Sequence, residues 1–150
     1  MPAGALAAYR IRGDEPAKMR PLAGRVYAVD INSDFLKLVA KKAKKANLKN
    51  VKTVQAKAKE SGLPEKSVDL IFMRNVFHHI KNPAAYFKAL KPALRPGARL
   101  AIIDYRPKLI SMGHNTSAQK IKQSLKKAGY RVQAEYDFLP SQSFTVFVVK

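Results

Sequence analysis

The chain contains no cysteine, which excludes disulfides, cysteine-ligated zinc, iron–sulfur clusters and thiol nucleophiles. Acidic residues are scarce: 10 Asp plus Glu stand against 29 Lys plus Arg, a formal charge of +19 and a pI near 10.3. That balance bears on solubility and attraction to polyanions and says nothing of fold. No apolar run approaches the ~18 residues that a membrane span requires. The first nine residues, Met1 to Tyr9, hold a short apolar stretch with no basic region ahead of it. Secretion is therefore not indicated, and a cytoplasmic protein without a membrane partner is expected. Internal repeats and Gly/Ser linkers are absent as well. What remains is 150 residues with 47% hydrophobic and 26% charged, the composition of one globular domain.

Strand-like and helix-like segments alternate. Val26 to Asp30 is a short β-rich run ending in a carboxylate. A helix should follow, capped by Asn32 or Ser33, with Asp34 in its first turn and Phe35, Leu36, Val39, Ala40 and Ala43 in an apolar stripe. Val51 to Ala56 reads as a second strand. Val68 to Met73 is almost continuously apolar, as strands covered on both faces are. Pro83 can open a helix that ends near Pro92, Pro96 and Gly97, and Leu100 to Asp104 is another buried strand. Thr116 or Ser117 caps a last helix stopped by Gly129. Tyr130 to Phe138 and Ser143 to Val149 form a closing antiparallel pair, since their connection is short. The pattern predicts an α/β fold: a Rossmann-like, mainly parallel sheet with helices on both faces and a C-terminal antiparallel strand pair.

In such sheets ligands bind outside the carboxyl ends of the strands, here Asp30, Lys57, Arg74-Asn75 and Asp104-Tyr105. Asp30 is the most informative, because a carboxylate at that place can accept from both hydroxyls of a ribose. A helix-capping or solvated acid is the alternative reading of the same residue.

The blocks Gly24-Arg25-Val26-Tyr27-Ala28-Val29-Asp30-Ile31, Gly62-Leu63-Pro64, Ser67 to Phe72, Val76-Phe77-His78-His79-Ile80 and Leu94 to Leu100 come in a fixed order. Together they resemble a class I S-adenosylmethionine-dependent methyltransferase of the small-molecule type, across residues 24–150. The resemblance implies S-adenosylmethionine as cofactor and a methyl acceptor as substrate. It implies that Asp30 holds the ribose, that Ile31 packs on the adenine, and that Lys57 and Ala58 face the adenine edge. Lys57 stands where the family often has an acid, and a lysine offers donors only. Arg74 and Asn75 match the segment beside the methionine end of the cofactor.

The family's glycine-rich loop after the first strand is not matched, since only Gly4 and Gly13 precede Gly24. Gly4 to Tyr9 at best resembles the last glycine of that loop and the start of the helix behind it. In the family the first strand lies between those that here are Val26 to Asp30 and Val68 to Met73. Without it the sheet centre would carry unpaired backbone. Residues 3–11 can substitute as an irregular strand, the neighbouring strands can close up, or the chain is a truncated form of a longer one. The expected division is thus an irregular or truncated segment over residues 1–23 and a methyltransferase-like domain over 24–150.

His78-His79, with His114 the only other histidine, is a poor metal chelate because adjacent side chains diverge, and no metal is expected. Either His78 or His79 can serve as a general base near neutral pH, or each can be a packed structural residue. Absence of cysteine excludes thiol-dependent cytosine methylation and thiol-relay arsenic methylation.

The positive charge is concentrated: residues 37–59 hold nine lysines and no acid. Lys120, Lys122, Lys126, Lys127 and Arg131 form a second cluster. The first cluster, Lys37 to Lys59, is either a solvated helix face or a surface for RNA or another polyanion. The second functional reading follows from it: a non-catalytic methyltransferase-like basic domain that binds RNA or a ribonucleoprotein.

Overall fold

A computed structural model describes residues 24–106 and 117–150 in full and the backbone of residues 6–10. Gly4, Gly13, His114 and Thr116 lie outside those residues. The described elements are β1 (Leu6–Arg10), β2 (Arg25–Asp30), α1 (Ser33–Lys45), β3 (Val51–Gln55), β4 (Val68–Arg74), α2 (Pro83–Leu90), β5 (Leu94–Tyr105), α3 (Ala118–Lys127), β6 (Tyr130–Tyr136) and β7 (Gln142–Val149). Short 3-10 turns occupy Phe77–His79 and Lys91–Ala93.

Helix starts follow local chemistry. The Asn32 side chain accepts from the Asp34 and Phe35 amides and opens α1. Asn82 accepts from Ala85, with Pro83 in the first turn of α2, and Ser117 accepts from Lys120 at α3. Each cap satisfies amides that the first helical turn cannot pair internally.

The seven strands form one sheet in the order β3-β2-β1-β4-β5-β7-β6. The pairs β2/β3 and β4/β5 are parallel, whereas β7 runs antiparallel to both β5 and β6. Because β2 crosses to β3 on one side and β4 crosses to β5 on the other, right-handed connections place α1 and α2 on opposite faces. The closing strand pair is antiparallel, as its short connection predicted.

β1 departs from expectation in two ways. Residues read as resembling a helix start form a strand instead, and that strand runs antiparallel to both neighbours. Leu6 lies opposite Val29 and Met73, and Arg10 lies opposite Arg25. The inner edges of β2 and β4 need hydrogen-bond partners, and a short segment supplies them in either direction. Tertiary pairing therefore overrides the helical tendency of an alanine-rich stretch. Residues 6–10 are thus part of the sheet, the first of the three arrangements set out above.

The core lies between the sheet and the α2/α3 layer. Ile71 and Met73 of β4, Leu100 and Ile102 of β5 and Phe147 of β7 face Phe87 and Leu90 of α2 and Ile121 and Leu125 of α3, all almost wholly buried. Phe87 stacks on Phe77 at 5.7 Å between ring centroids and meets Tyr130 edge-on at 6.4 Å. The Tyr130 hydroxyl donates to the Phe87 carbonyl at 2.9 Å, tying α2 to β6.

Gly129 ends α3 with φ of +83°, and an added Cβ would collide with the Lys91 ammonium. Gly129→Ala should therefore destabilise by about 1–2 kcal/mol, because a side chain is strained in the left-handed region. Thermal unfolding would show this as a fall of about 3–6 °C in Tm.

Candidate functional site

β2 delivers Asp30 to the carboxyl edge of the sheet in a buried position. Its Oδ1 accepts from the Asn32 amide at 2.8 Å. Its Oδ2 is buried and has no hydrogen-bond partner among the described residues. Asn32, not Asp30, caps α1, so Asp30 is neither a capping nor a solvated acid here. An unpaired buried carboxylate oxygen is costly, on the order of 1–3 kcal/mol or more, and such sites concentrate where a ligand supplies the missing donors.

Beside Asp30 lies a cavity of about 370 Å³. One wall comes from the ends of β2 and β3: Val29, Asp30, Ile31, Ala56, Lys57, Ala58 and Lys59. The other comes from the segment after β4 and the start of α2: Val76, His79, Ile80, Lys81, Asn82 and Tyr86. The surface is mainly aliphatic and aromatic, with Asp30 its sole carboxylate among the described residues. Ile31 is 59% exposed, an apolar side chain at the rim. Lys57 pairs with Glu60 at 2.9 Å.

The structure thus brings Asp30, Ile31, Lys57, Ala58 and His79 into one slot. Arg74, Asn75 and His78 are not in its lining. Arg74 is exposed at the end of β4. Asn75 adopts φ of +57°, donates its amide to the Ile103 carbonyl and accepts from Gln142 Nε2 at 2.7 Å. That bond ties the end of β4 to the start of β7.

The two histidines have separate surroundings. The His78 side chain is 8% exposed, and its Nδ1 lies 2.8 Å from Oδ1 of the fully buried Asp104. Asp104 also accepts from the His78 amide at 3.2 Å and the Tyr105 amide at 2.8 Å. Donation from Nδ1 to the carboxylate fits this geometry. Asp104 therefore pins the Phe77–His79 turn, and that turn carries His79 into the slot wall. The two rings lie 4.1 Å apart.

Sequence reasoning named Asp104 only as a strand end and Val76 only within the segment after β4, and passed over Tyr86 and Gln142 as site residues. A buried acid closing an otherwise apolar strand was the available signal for Asp104. Nothing local marked Gln142, whose partner is 67 residues away.

Burial pushes the Tyr86 phenol up to about 12 from an ordinary 10.0, and burial holds Tyr130 well above its ordinary range too. Both phenols stay protonated in the folded chain at a pH where the unfolded chain ionises. Their contribution to stability is fully present below pH 10 and is lost as pH rises towards 12. Tyr86→Phe should flatten part of that decline in denaturant titrations across this window.

A sequence-family profile described as a methyltransferase domain matches residues 12–102, more than half of the chain. The chain belongs to the methyltransferase domain family. Curated relatives of this methyltransferase domain include YafE of Escherichia coli K12, 30% identical over 89 residues, which are 59% of this chain and 41% of YafE. A demethylmenaquinone methyltransferase of Listeria monocytogenes is 28% identical over 81 residues, 54% of this chain and 34% of that protein. The chain thus spans well under half the length of these relatives.

Among solved structures, a SAM-dependent methyltransferase from Aquifex aeolicus superposes with a TM-score of 0.77 at 27% identity, covering 84% of this chain and 69% of that one. The trans-methyltransferase CalH, solved with S-adenosylhomocysteine, shares the fold with a TM-score of 0.65 at 16% identity, covering 81% and 41%. S-adenosylmethionine is the cofactor of this family. No helix among the described residues is long and apolar enough to cross a membrane.

Proposed function

We propose that this methyltransferase domain binds S-adenosylmethionine in the slot beside Asp30 and transfers its methyl group to an acceptor at the carboxyl ends of β4 and β5. The unpaired Oδ2 of Asp30, buried beside an apolar slot, carries the reading. One hydroxyl of a vicinal diol supplies the donor that Oδ2 lacks, and the other can share Oδ1 with the Asn32 amide. Ile31, Ala56, Ala58, Val76 and Ile80 form surfaces for a flat heterocycle, and a mainly apolar wall with few polar groups is what small-ligand sites present. The described residues therefore fit the adenosine half of the cofactor.

When bound, the cofactor supplies a methyl group on a sulfonium, already activated for displacement. The chain's own task is then chiefly to position the acceptor in line, which can account for much of the barrier lowering. His79, on the slot wall, is the group placed to take a proton from an acceptor that must lose one. His78 acts as its support through Asp104. Lys57 and Lys59 offer donors, so the edge of the heterocycle is read through its ring nitrogens and through backbone groups.

Calorimetric titration with S-adenosylhomocysteine tests the proposal. Micromolar binding is expected. No binding at millimolar ligand would reject it and leave the second reading, a non-catalytic basic domain, which the scarcity of acid on the α1 side favours.

A further inference from the structure

All nine lysines of the Lys37 to Lys59 cluster are exposed, and five of them lie on α1. α1 lays its apolar stripe, Leu36, Val39 and Ala43, towards β2 and β3, leaving its lysines outward. The helix runs back along β3, the edge strand of the sheet, so its lysines extend over about 12 Å at a rise of about 1.5 Å per residue. On β3, Val51 and Thr53 face α1, and Lys52 points to the other side of this edge strand, whereas Lys57 and Lys59 stand at the slot wall with Lys81 opposite.

Only Lys37 and Lys57 have acidic partners among the described residues, Asp34 and Glu60, at the two ends of the patch. Between them, Lys37–Lys41, Lys41–Lys44, Lys41–Lys45 and Lys42–Lys45 are like-charge neighbours three or four residues apart on one helix. Each such pair costs a few tenths of a kcal/mol, and among the described residues only Lys37 has a carboxylate partner on this helix, Asp34. A bound polyanion removes that repulsion and releases its own counterions. The α3 cluster differs, because Glu135 pairs with Lys122 and Asp137 follows on the same hairpin.

We infer that the α1/β3 edge is a docking surface for the phosphate backbone of a nucleic acid, held by charge and not by base readout. No aromatic side chain interrupts the lysines, so stacked bases are not part of the contact. A bilayer is the poorer fit, because α1 turns Leu36, Val39 and Ala43 to the sheet and exposes one large apolar side chain, Leu38, too small a face to insert. The surface ends at the slot, so a polynucleotide held there lies beside the site at which methyl transfer is proposed.

Fluorescence anisotropy with a labelled single-stranded RNA provides the test. With about four phosphates engaged, log K should fall linearly with log salt at a slope of about −3. The triple variant Lys41→Gln/Lys44→Gln/Lys45→Gln should reduce that slope by about 2 and weaken binding about tenfold or more at low salt. Lys120→Gln/Lys126→Gln/Lys127→Gln should change affinity by less than about twofold. Equal losses from the two triple variants, salt-independent binding, absence of binding, competition by polyglutamate as effective as by RNA, or preference for anionic vesicles would each overturn the assignment. Asp30→Ala should leave RNA affinity intact while weakening S-adenosylhomocysteine binding about a hundredfold or more, so this surface and the cofactor reading fail separately.

Discussion

Asp30→Ala is expected to weaken S-adenosylhomocysteine binding by about a hundredfold or more while leaving the fold as stable as before. Hydrogen bonds to a charged acceptor contribute roughly 1.5–3 kcal/mol each, and two hydroxyl donors would meet this carboxylate, so a loss of about 3 kcal/mol follows. The stability half of the expectation is the more diagnostic. Among the described residues Oδ2 is buried without a donor, a cost to folding, and the Asn32 amide is the one donor to Oδ1. Asp30→Asn keeps an oxygen for that amide and removes the buried charge, so its Tm should stay level or rise by a few degrees while affinity falls at least about tenfold. Calorimetry and thermal unfolding on the same three proteins separate the outcomes. A large fall in Tm with ligand affinity unchanged would mark Asp30 as structural.

Phe87→Ala is expected to have the largest effect on folding, about 3–5 kcal/mol, read from chemical denaturation midpoints. Phe87 has no exposed surface and packs against Phe77, Tyr86 and Tyr130. Its backbone carbonyl also receives the Tyr130 hydroxyl, so movement of α2 into the cavity would disturb the link to β6. For a chain of this size Tm should fall by about 10–15 °C. Phe87→Leu, which retains most of the volume, should recover more than half of the loss. Failure of Phe87→Ala to lower the midpoint would mean that the aromatic cluster is not the centre of the core. Because Tyr86 belongs both to this cluster and to the slot wall, Phe87→Ala should also weaken ligand binding.

Much of this architecture was legible because its determinants are local. Asn32 or Ser33, Pro83, and Thr116 or Ser117 announce helix starts, Gly129 announces a stop, and Val68 to Met73 declares a strand covered on both faces; that Asn82 caps α2 emerged only from the structure. Asp30 was legible for the same reason: it closes a strand immediately before a cap. Other features depend on partners remote in sequence. Asp104 reaches His78 across 26 residues, and Gln142 reaches Asn75 across 67. No periodicity encodes such pairs. Arg74 and Asn75 were singled out for their place after β4, but the left-handed turn at Asn75 directs that side chain to Gln142 and away from the slot wall. His78 and His79 were indistinguishable in the sequence, and only the buried Asp104 separates the anchored ring from the one beside the slot. The direction of β1 was hidden too, since a strand's side-chain alternation reads the same along either direction.

β1 also acts as a gauge. β2 and β4 lead into the two walls of the slot, yet among the described residues they are not paired with each other, and Leu6–Arg10 pairs with both. One intervening strand sets them two inter-strand spacings apart, about 9.6 Å, whereas strands in direct contact would stand at about half that. The separation between Asp30 at the end of β2 and Val76 beyond β4 is therefore set by a segment that needs only its backbone for the purpose.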